Sequence, residues 1–161
     1  MSRDLEKGQL GIMPCDFFHK GHCRAFKNII ASYVEDPMGG GTFTEENSDL
    51  LIWGLSRHSS SFTLFGIHEG LPAGVAVCFI NYSTFKRAPF INIHDLAVLP
   101  KYRGLGIGKS LLAAVSIKAM DLECCKVTLE VRQDNKTAQA LYKSFGFSPL
   151  TPPMDYWSKS I

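Results

Sequence analysis

The stretch Val98-Leu99-Pro100-Lys101-Tyr102-Arg103-Gly104-Leu105-Gly106-Ile107-Gly108-Lys109-Ser110 constrains this chain most, because it passes from a strand-like run to a helical one through three alternating glycines. A helix start leaves backbone N–H groups without partners and carries a partial positive charge. Glycines remove the side chains that would hold a phosphate away from those donors, and Arg103 and Lys109 add formal charge. An anion is the ligand such a turn suits; a tight turn that caps a helix and binds nothing is the alternative that glycines alone allow. Two phosphate loops are excluded. A Walker A loop ending at Gly108-Lys109-Ser110 needs glycine at position 103, which is Arg103, and the even spacing of Gly104, Gly106 and Gly108 does not fit G-x-G-x-x-G.

Around this turn the chain reads as alternating helices and strands. Asp16–Asp36 places Phe18, His19, His22, Phe26, Ile29, Ile30 and Tyr33 at helical spacing, and Pro37-Met38-Gly39-Gly40-Gly41 is a loop. Thr44-Glu45-Glu46 opens a second helix with a hydroxyl cap and acids in its first turn. Ser61–His68 and Ala73–Tyr82 form a hairpin about Glu69-Gly70-Leu71-Pro72, and Phe90–Leu99 is a third strand. Gly104–Leu122 is predicted as a helix, Lys126–Arg132 as a strand, Asn135–Phe145 as a helix closed by Gly146, and Asp155–Ser160 as a last strand. This order calls for an α/β (α+β) domain with one central mixed sheet, parallel across the crossover.

At 161 residues, a single domain over 1–161 is expected, and 45% hydrophobic with 20% charged residues suits a globular chain. The net charge of +2 is too balanced for a dedicated nucleic-acid binder. No apolar run approaches the ~20 residues of a membrane span, and the charged opening MSRDLEKGQL lacks the core of a signal peptide. The five cysteines are odd in number and irregular in spacing, so a reducing cytoplasm is the expected location. Cys15, His19, His22 and Cys23 share a helical face with Phe18 and Phe26 at no finger spacing, and no metal is expected.

The segment Arg103-Gly104-Leu105-Gly106-Ile107-Gly108 resembles the acyl-CoA signature of the GNAT (GCN5-related N-acetyltransferase) superfamily. His94-Asp95-Leu96-Ala97-Val98-Leu99-Pro100 is similar to that family's fourth strand, and Leu129-Glu130-Val131-Arg132, Asn135, Ala138, Leu141-Tyr142 and Phe145-Gly146-Phe147 to its fifth strand and following helix. The resemblance covers about residues 72–147 and implies a mostly antiparallel sheet flanked by helices and splayed between strands four and five. It implies acetyl-CoA as co-substrate, its pyrophosphate on Arg103, Gly104, Leu105, Gly106, Ile107, Gly108 and Lys109, its pantetheine arm paired as an extra strand with Leu96, Ala97 and Val98, and Asn135 in contact with that arm. A backbone N–H near Leu96 would polarise the thioester carbonyl.

The same resemblance puts Tyr142 at the general-acid position, where a phenol with an ordinary pKa near ~10 keeps a proton to donate to the departing thiolate. The acceptor is a harder problem: an alkylammonium with pKa near ~10.4 must lose a proton, at roughly 4–5 kcal/mol at neutral pH. His94 and Asp95 stand side by side on strand four, facing opposite ways unless a bulge intervenes. They occupy the place where polyamine acetyltransferases carry Glu-Asp, a resemblance extended by Phe79 and Tyr82. His94 is the expected base, with Asp95 orienting it or the acceptor, and Glu130 is in reserve. The acidic residues Glu35, Asp36, Glu45, Glu46 and Asp49 could attract a cationic amine or simply be a solvated face. The expected activity is acetyl transfer to a primary amine, polyamine-like or aminoglycoside-like, by direct attack in a ternary complex. The alternatives are a protein lysine or N-terminal acetyltransferase and a non-catalytic acyl-CoA-binding module. A small-molecule acceptor is the expected partner, with neither nucleic acid nor membrane, and a homodimer is allowed.

Overall fold

Five strands make one mixed sheet whose spatial order is the chain order: β1 (Leu10–Pro14), β2 (Ser61–His68), β3 (Leu71–Ser83), β4 (Ala88–Val98) and β5 (Val127–Leu129). Neighbours from β1 to β4 run antiparallel, and β4 and β5 run parallel. This is a computed structural model. It describes residues 9–37 and 39–161; residues 1–8 of the charged opening, and Met38 of the glycine loop, lie outside the described residues.

The helices are α1 (Lys20–Val34), α2 (Glu45–Arg57), α3 (Ile107–Asp121) and α4 (Lys136–Ser144). Thr44 caps α2 as expected, its hydroxyl accepting the Asn47 N–H at 3.2 Å. The β2–β3 hairpin turns on Glu69 and Gly70, both at positive φ, as a two-residue turn between right-twisted strands requires. On one face of the sheet, Phe26, Ile29 and Ile30 of α1 and Leu55 of α2 pack with Phe65, Val75, Val77 and Ala97. On the other, α3 buries Ile107, Leu111, Leu112 and Val115, each burial contributing about 1.5–3 kcal/mol.

Four elements depart from the sequence expectation, one being the strand expected over Lys126–Arg132, which pairs only over Val127–Leu129. β1 was not expected: LGIMP is short, holds Gly11 and ends in Pro14, and its strand character comes from pairing with β2. The first helix begins at Lys20 rather than Asp16, leaving Phe18 89% exposed. Asp155–Ser160 is not a strand; those residues are exposed and pair with nothing among the described residues, and β propensity without a partner makes no ladder.

The chain divides into a larger unit ending at Glu130 and a smaller one, Val131–Ile161. In the smaller unit Asn135 caps α4, its side-chain oxygen accepting the Ala138 N–H at 3.1 Å, and Gly146 at φ 84 follows the helix end.

Candidate active site

The glycine turn is built from the end of β4. The Leu99 N–H donates to the Ala73 carbonyl of β3 at 2.9 Å, and Pro100–Tyr102 then forms a single 3-10 turn closed by Arg103 N–H to the Pro100 carbonyl at 3.2 Å. Gly104 and Gly106 take φ of 80 and 85, a region that suits glycine. The first bond of α3 runs from Ser110 N–H to the Gly106 carbonyl at 3.0 Å, and no side chain caps this end. The amides of Gly106, Ile107, Gly108 and Lys109 are therefore the four without an intrahelical acceptor. Two other glycines set where this cluster stands. A Cβ on Gly66 would lie 2.5 Å from Ile107 Cγ2, and one on Gly74 2.9 Å from the same atom. Because Gly66 and Gly74 pair across β2 and β3, they leave a shallow seat into which the first residue of α3 drops.

Beside this turn the sheet comes apart. β5 pairs with β4 at Ile91, Asn92 and Ile93, so from His94 onward the far edge of β4 has no strand on it among the described residues. In a trans peptide, N–H and C=O point opposite ways. Leu99 N–H points to β3, so the Val98 carbonyl points to the open edge; alternation sends the backbone of Leu96 the same way and that of Ala97 toward β3. The Val98 carbonyl accepts from Arg103 Nε at 3.2 Å, while Arg103 Nη2 donates to Asp36 Oδ2 at 2.8 Å. The Arg103 side chain, expected to await an anion, is thus engaged, and its backbone N–H is spent in the 3-10 turn.

The splay begins at a β-bulge. Val77 faces Asp95 and Cys78 faces Ile93, which leaves His94 as the extra residue of β4. Because directly paired residues share a face, Asp95 lies with Val77 on the α1 side. The His94 ring meets Phe79 edge to face at 5.6 Å, and Phe79 belongs to that same side. The bulge therefore brings His94 and Asp95 to one face, the exception that the sequence reading allowed for. Burial pushes the Asp95 carboxyl above its ordinary range, against the opposing pull of His94. The Tyr33 phenol of α1 is raised by burial and then by Asp95 and Asp36, and the Cys78 thiol is pushed up to about 12 mainly by burial. Sequence reasoning missed His58, whose ring meets Phe79 edge to face at 5.0 Å. It stands at the C-terminal cap of α2, far from His94 in sequence, and no local pattern marks it.

Asn135 and Tyr142 belong to the smaller unit, both on the α4 segment. The Asn135 side chain caps the helix, and the half-buried Tyr142 ring meets Phe147 at 6.0 Å. Glu130 is exposed just beyond β5. His22 Nδ1 accepts the Asp16 N–H at 3.0 Å and His19 Nδ1 accepts the His22 N–H at 3.3 Å, while the Cys23 thiol donates to the Phe17 carbonyl at 3.1 Å. Those side chains serve the α1 start. The acidic run is partly neutralised: Lys27 bridges Glu45 and Asp49 at 2.6 and 2.7 Å, and Arg103 holds Asp36. An open concavity lined by Phe18, Ile52, Trp53 and Arg57 includes no residue of β4 or the glycine turn. Among the described residues, no helix is long and apolar enough to cross a membrane.

Comparison with known proteins agrees with this geometry. Residues 26–147 match the acetyltransferase (GNAT) family. A thialysine N-epsilon-acetyltransferase of Bos taurus is 38% identical over 78 residues, 48% of this chain and 45% of that protein, so the chain matches less than half the length of this relative. An uncharacterized N-acetyltransferase of Archaeoglobus fulgidus is 33% identical over 122 residues, covering 73% of this chain and 82% of its own. Among solved structures, that of AAC(6')-Iy in complex with the bisubstrate analogue CoA-S-monomethyl-acetylneamine superposes with a TM-score of 0.75 at 17% identity, over 95% of this chain and 99% of that one.

Proposed function

Because this chain belongs to the acetyltransferase (GNAT) family, we propose that it transfers an acetyl group from acetyl-CoA to the primary amine of a small acceptor within a ternary complex. The observation that carries this reading is the open edge of β4 from His94 to Val98, running into a helix start with four unpartnered amides. An extended arm of alternating amides fits such an edge as an added strand, and a pyrophosphate fits the helix start. Gly106, Ile107, Gly108 and Lys109 bind the pyrophosphate through their N–H groups, with Gly104 and Leu105 shaping the turn and Arg103 supplying charge. Leu96 and Val98 align the pantetheine, and Ala97 supports them from the core side. The Leu96 N–H polarises the thioester carbonyl as it becomes an oxyanion.

His94 takes the proton of the acceptor ammonium, since a neutral imidazole nitrogen is a competent base. Asp95, on the same face, orients the imidazole or the amine. The amine nitrogen attacks the thioester carbonyl carbon, the carbon–sulfur bond breaks, and the leaving thiolate takes the Tyr142 proton. Asn135 contacts the pantetheine through the amide group left over from capping. A small amine is favoured by a relative named for thialysine, and a protein of the same fold was solved with the bisubstrate analogue CoA-S-monomethyl-acetylneamine. The whole chain acts as one catalytic domain in this reading.

The test is thiol release from acetyl-CoA measured against a panel of thialysine, polyamines, aminoglycosides, lysine-containing peptides and peptides with free N-termini. Turnover confined to the small amines supports the reading. Turnover with peptides alone makes this a protein acetyltransferase, and a thermal shift with CoA but no turnover across the panel makes it a binding module.

A further inference from the structure

Arg103 is anchored at both ends. Its Nε sits on the Val98 carbonyl at 3.2 Å and its Nη2 on Asp36 Oδ2 at 2.8 Å, so the side chain runs from the open edge of β4 to the loop after α1. We propose that Arg103 is a gate across the edge where the pantetheine pairs, held shut by Asp36, which makes Asp36 a positioning residue for cofactor entry. The inference rests on the reading of that edge as the thioester site.

The Val98 carbonyl is one of the few acceptors that β4 turns toward the open edge, and an incoming amide chain must use it to pair as a strand. While Arg103 Nε donates to it, that acceptor is engaged. The guanidinium has a stronger alternative once cofactor arrives, because a pyrophosphate offers paired oxygens matched to its fork, next to the amides of Gly106–Lys109. Opening is therefore an exchange of anions: the guanidinium leaves the Asp36 carboxylate for the phosphates, and the Val98 carbonyl passes from Nε to the pantetheine amide.

Asp36 is suited to the restraining role. Its carboxylate side chain is 15% exposed while that of Arg103 is 52% exposed, so the acid is the more buried partner and the guanidinium the one with solvent to swing into. Its backbone carbonyl receives the N–H groups of Gly39 and Gly40 at 2.8 and 3.2 Å, tying the carboxylate to the turn that ends α1. Tyr33, one turn earlier, is influenced by both Asp36 and Asp95, so the restraining loop adjoins the face that carries His94 and Asp95.

The experiment is CoA binding to the full chain without acceptor, by calorimetry for affinity and stopped-flow for association rate, in wild type, Asp36→Asn, Arg103→Gln and the double variant. Asp36→Asn should tighten CoA by roughly two- to fivefold, the worth of a partly exposed ion pair, and should speed association. In the Arg103→Gln background the same change should have no effect. Arg103→Lys keeps a cation for the phosphates but cannot bridge Val98 and Asp36 together, and it should also associate faster. Unchanged or weaker affinity in a folded Asp36→Asn, persistence of its gain without Arg103, or an unaltered association rate in Arg103→Lys would each overturn the gate. If wild type binds no CoA at all, the reading beneath it falls and the gate falls with it.

Discussion

Ile93 and Asp95, two residues apart on one strand, lie on opposite faces of the sheet: Ile93 pairs with Cys78 and Asp95 with Val77, and His94 is the residue between that has no partner on β3. In a regular strand positions i and i+2 share a face, so a single inserted residue turns a carboxylate out of the α3 core and toward α1. The bulge is thus the device that places an acid beside an imidazole, and it also marks where β4 and β5 part.

Deleting His94 should remove the bulge without shifting any other pair, because Ile93 and Asp95 already face consecutive residues of β3. The deletion variant should fold with a melting temperature near that of wild type and lose turnover by roughly 10²-fold or more, as loss of a general base does. His94→Gln keeps the bulge and should lose turnover to a similar degree. Retained turnover in both would move the base to Glu130 or to solvent.

Asp95 should make stability depend on pH. Burial holds its folded pKa above the ordinary 3.8, so the folded chain binds that proton more tightly than the unfolded chain does. The contribution is present in full below the ordinary value and is lost as pH rises through the folded one. Asp95→Asn should therefore be more stable than wild type at neutral pH, with the difference shrinking as pH falls toward about 4. Urea unfolding across that range measures it, and a variant less stable at neutral pH would show that the carboxylate is compensated by its neighbours.

Tyr142→Phe removes the phenolic hydroxyl and keeps the half-buried ring that packs near Phe147. A general acid lost this way should lower turnover by roughly 10²–10⁴ with little change in CoA affinity. A lowered melting temperature with turnover near wild type would mark a packing residue instead.

Gly106→Glu places a side chain at φ 85 and a negative charge among the α3 amides. It should cost about 1–2 kcal/mol of stability and abolish CoA binding. Calorimetry on the folded variant decides; undiminished affinity would mean that the turn is ordinary structure.

Gly74→Val should act on the same site from beneath. Its Cβ would meet the Ala97 carbonyl and Ile107 Cγ2, both at 2.9 Å. Overpacking of this kind typically costs about 1–3 kcal/mol, and it should weaken CoA by displacing the first turn of α3. Normal CoA affinity in a destabilised variant would show that the turn is positioned independently of this seat.

What the sequence made legible follows from the range of the signals. The glycine turn, the Thr44 cap and the Gly146 stop are local, each set by a residue's own conformational preferences, and all lie where expected, while Asn135, expected as the first residue of its helix, caps it instead. β1 and the absence of a strand at Asp155–Ser160 are matters of pairing, which depends on residues far along the chain. The bulge at His94 was stated only as a condition, because register is a property of two strands and one strand's sequence does not carry it. The ion pair of Arg103 with Asp36 and the edge-to-face contact of His58 with Phe79 join segments that only the fold brings together. Arg103 was read as free charge for that reason.

The parting of β4 from β5 also makes the larger unit a ruler. From His94, where pairing with β5 has ended, to Val98, where the turn begins, the strand rises four residues, or about 13 Å at 3.3 Å each. That length is set by covalent geometry, so it changes little with temperature or with side-chain substitution. On the proposed reading a donor must carry its anionic anchor and its reactive carbon at matching separation, and a truncated thioester that holds the acetyl group but not the phosphates has nothing to register against the far end of the scale.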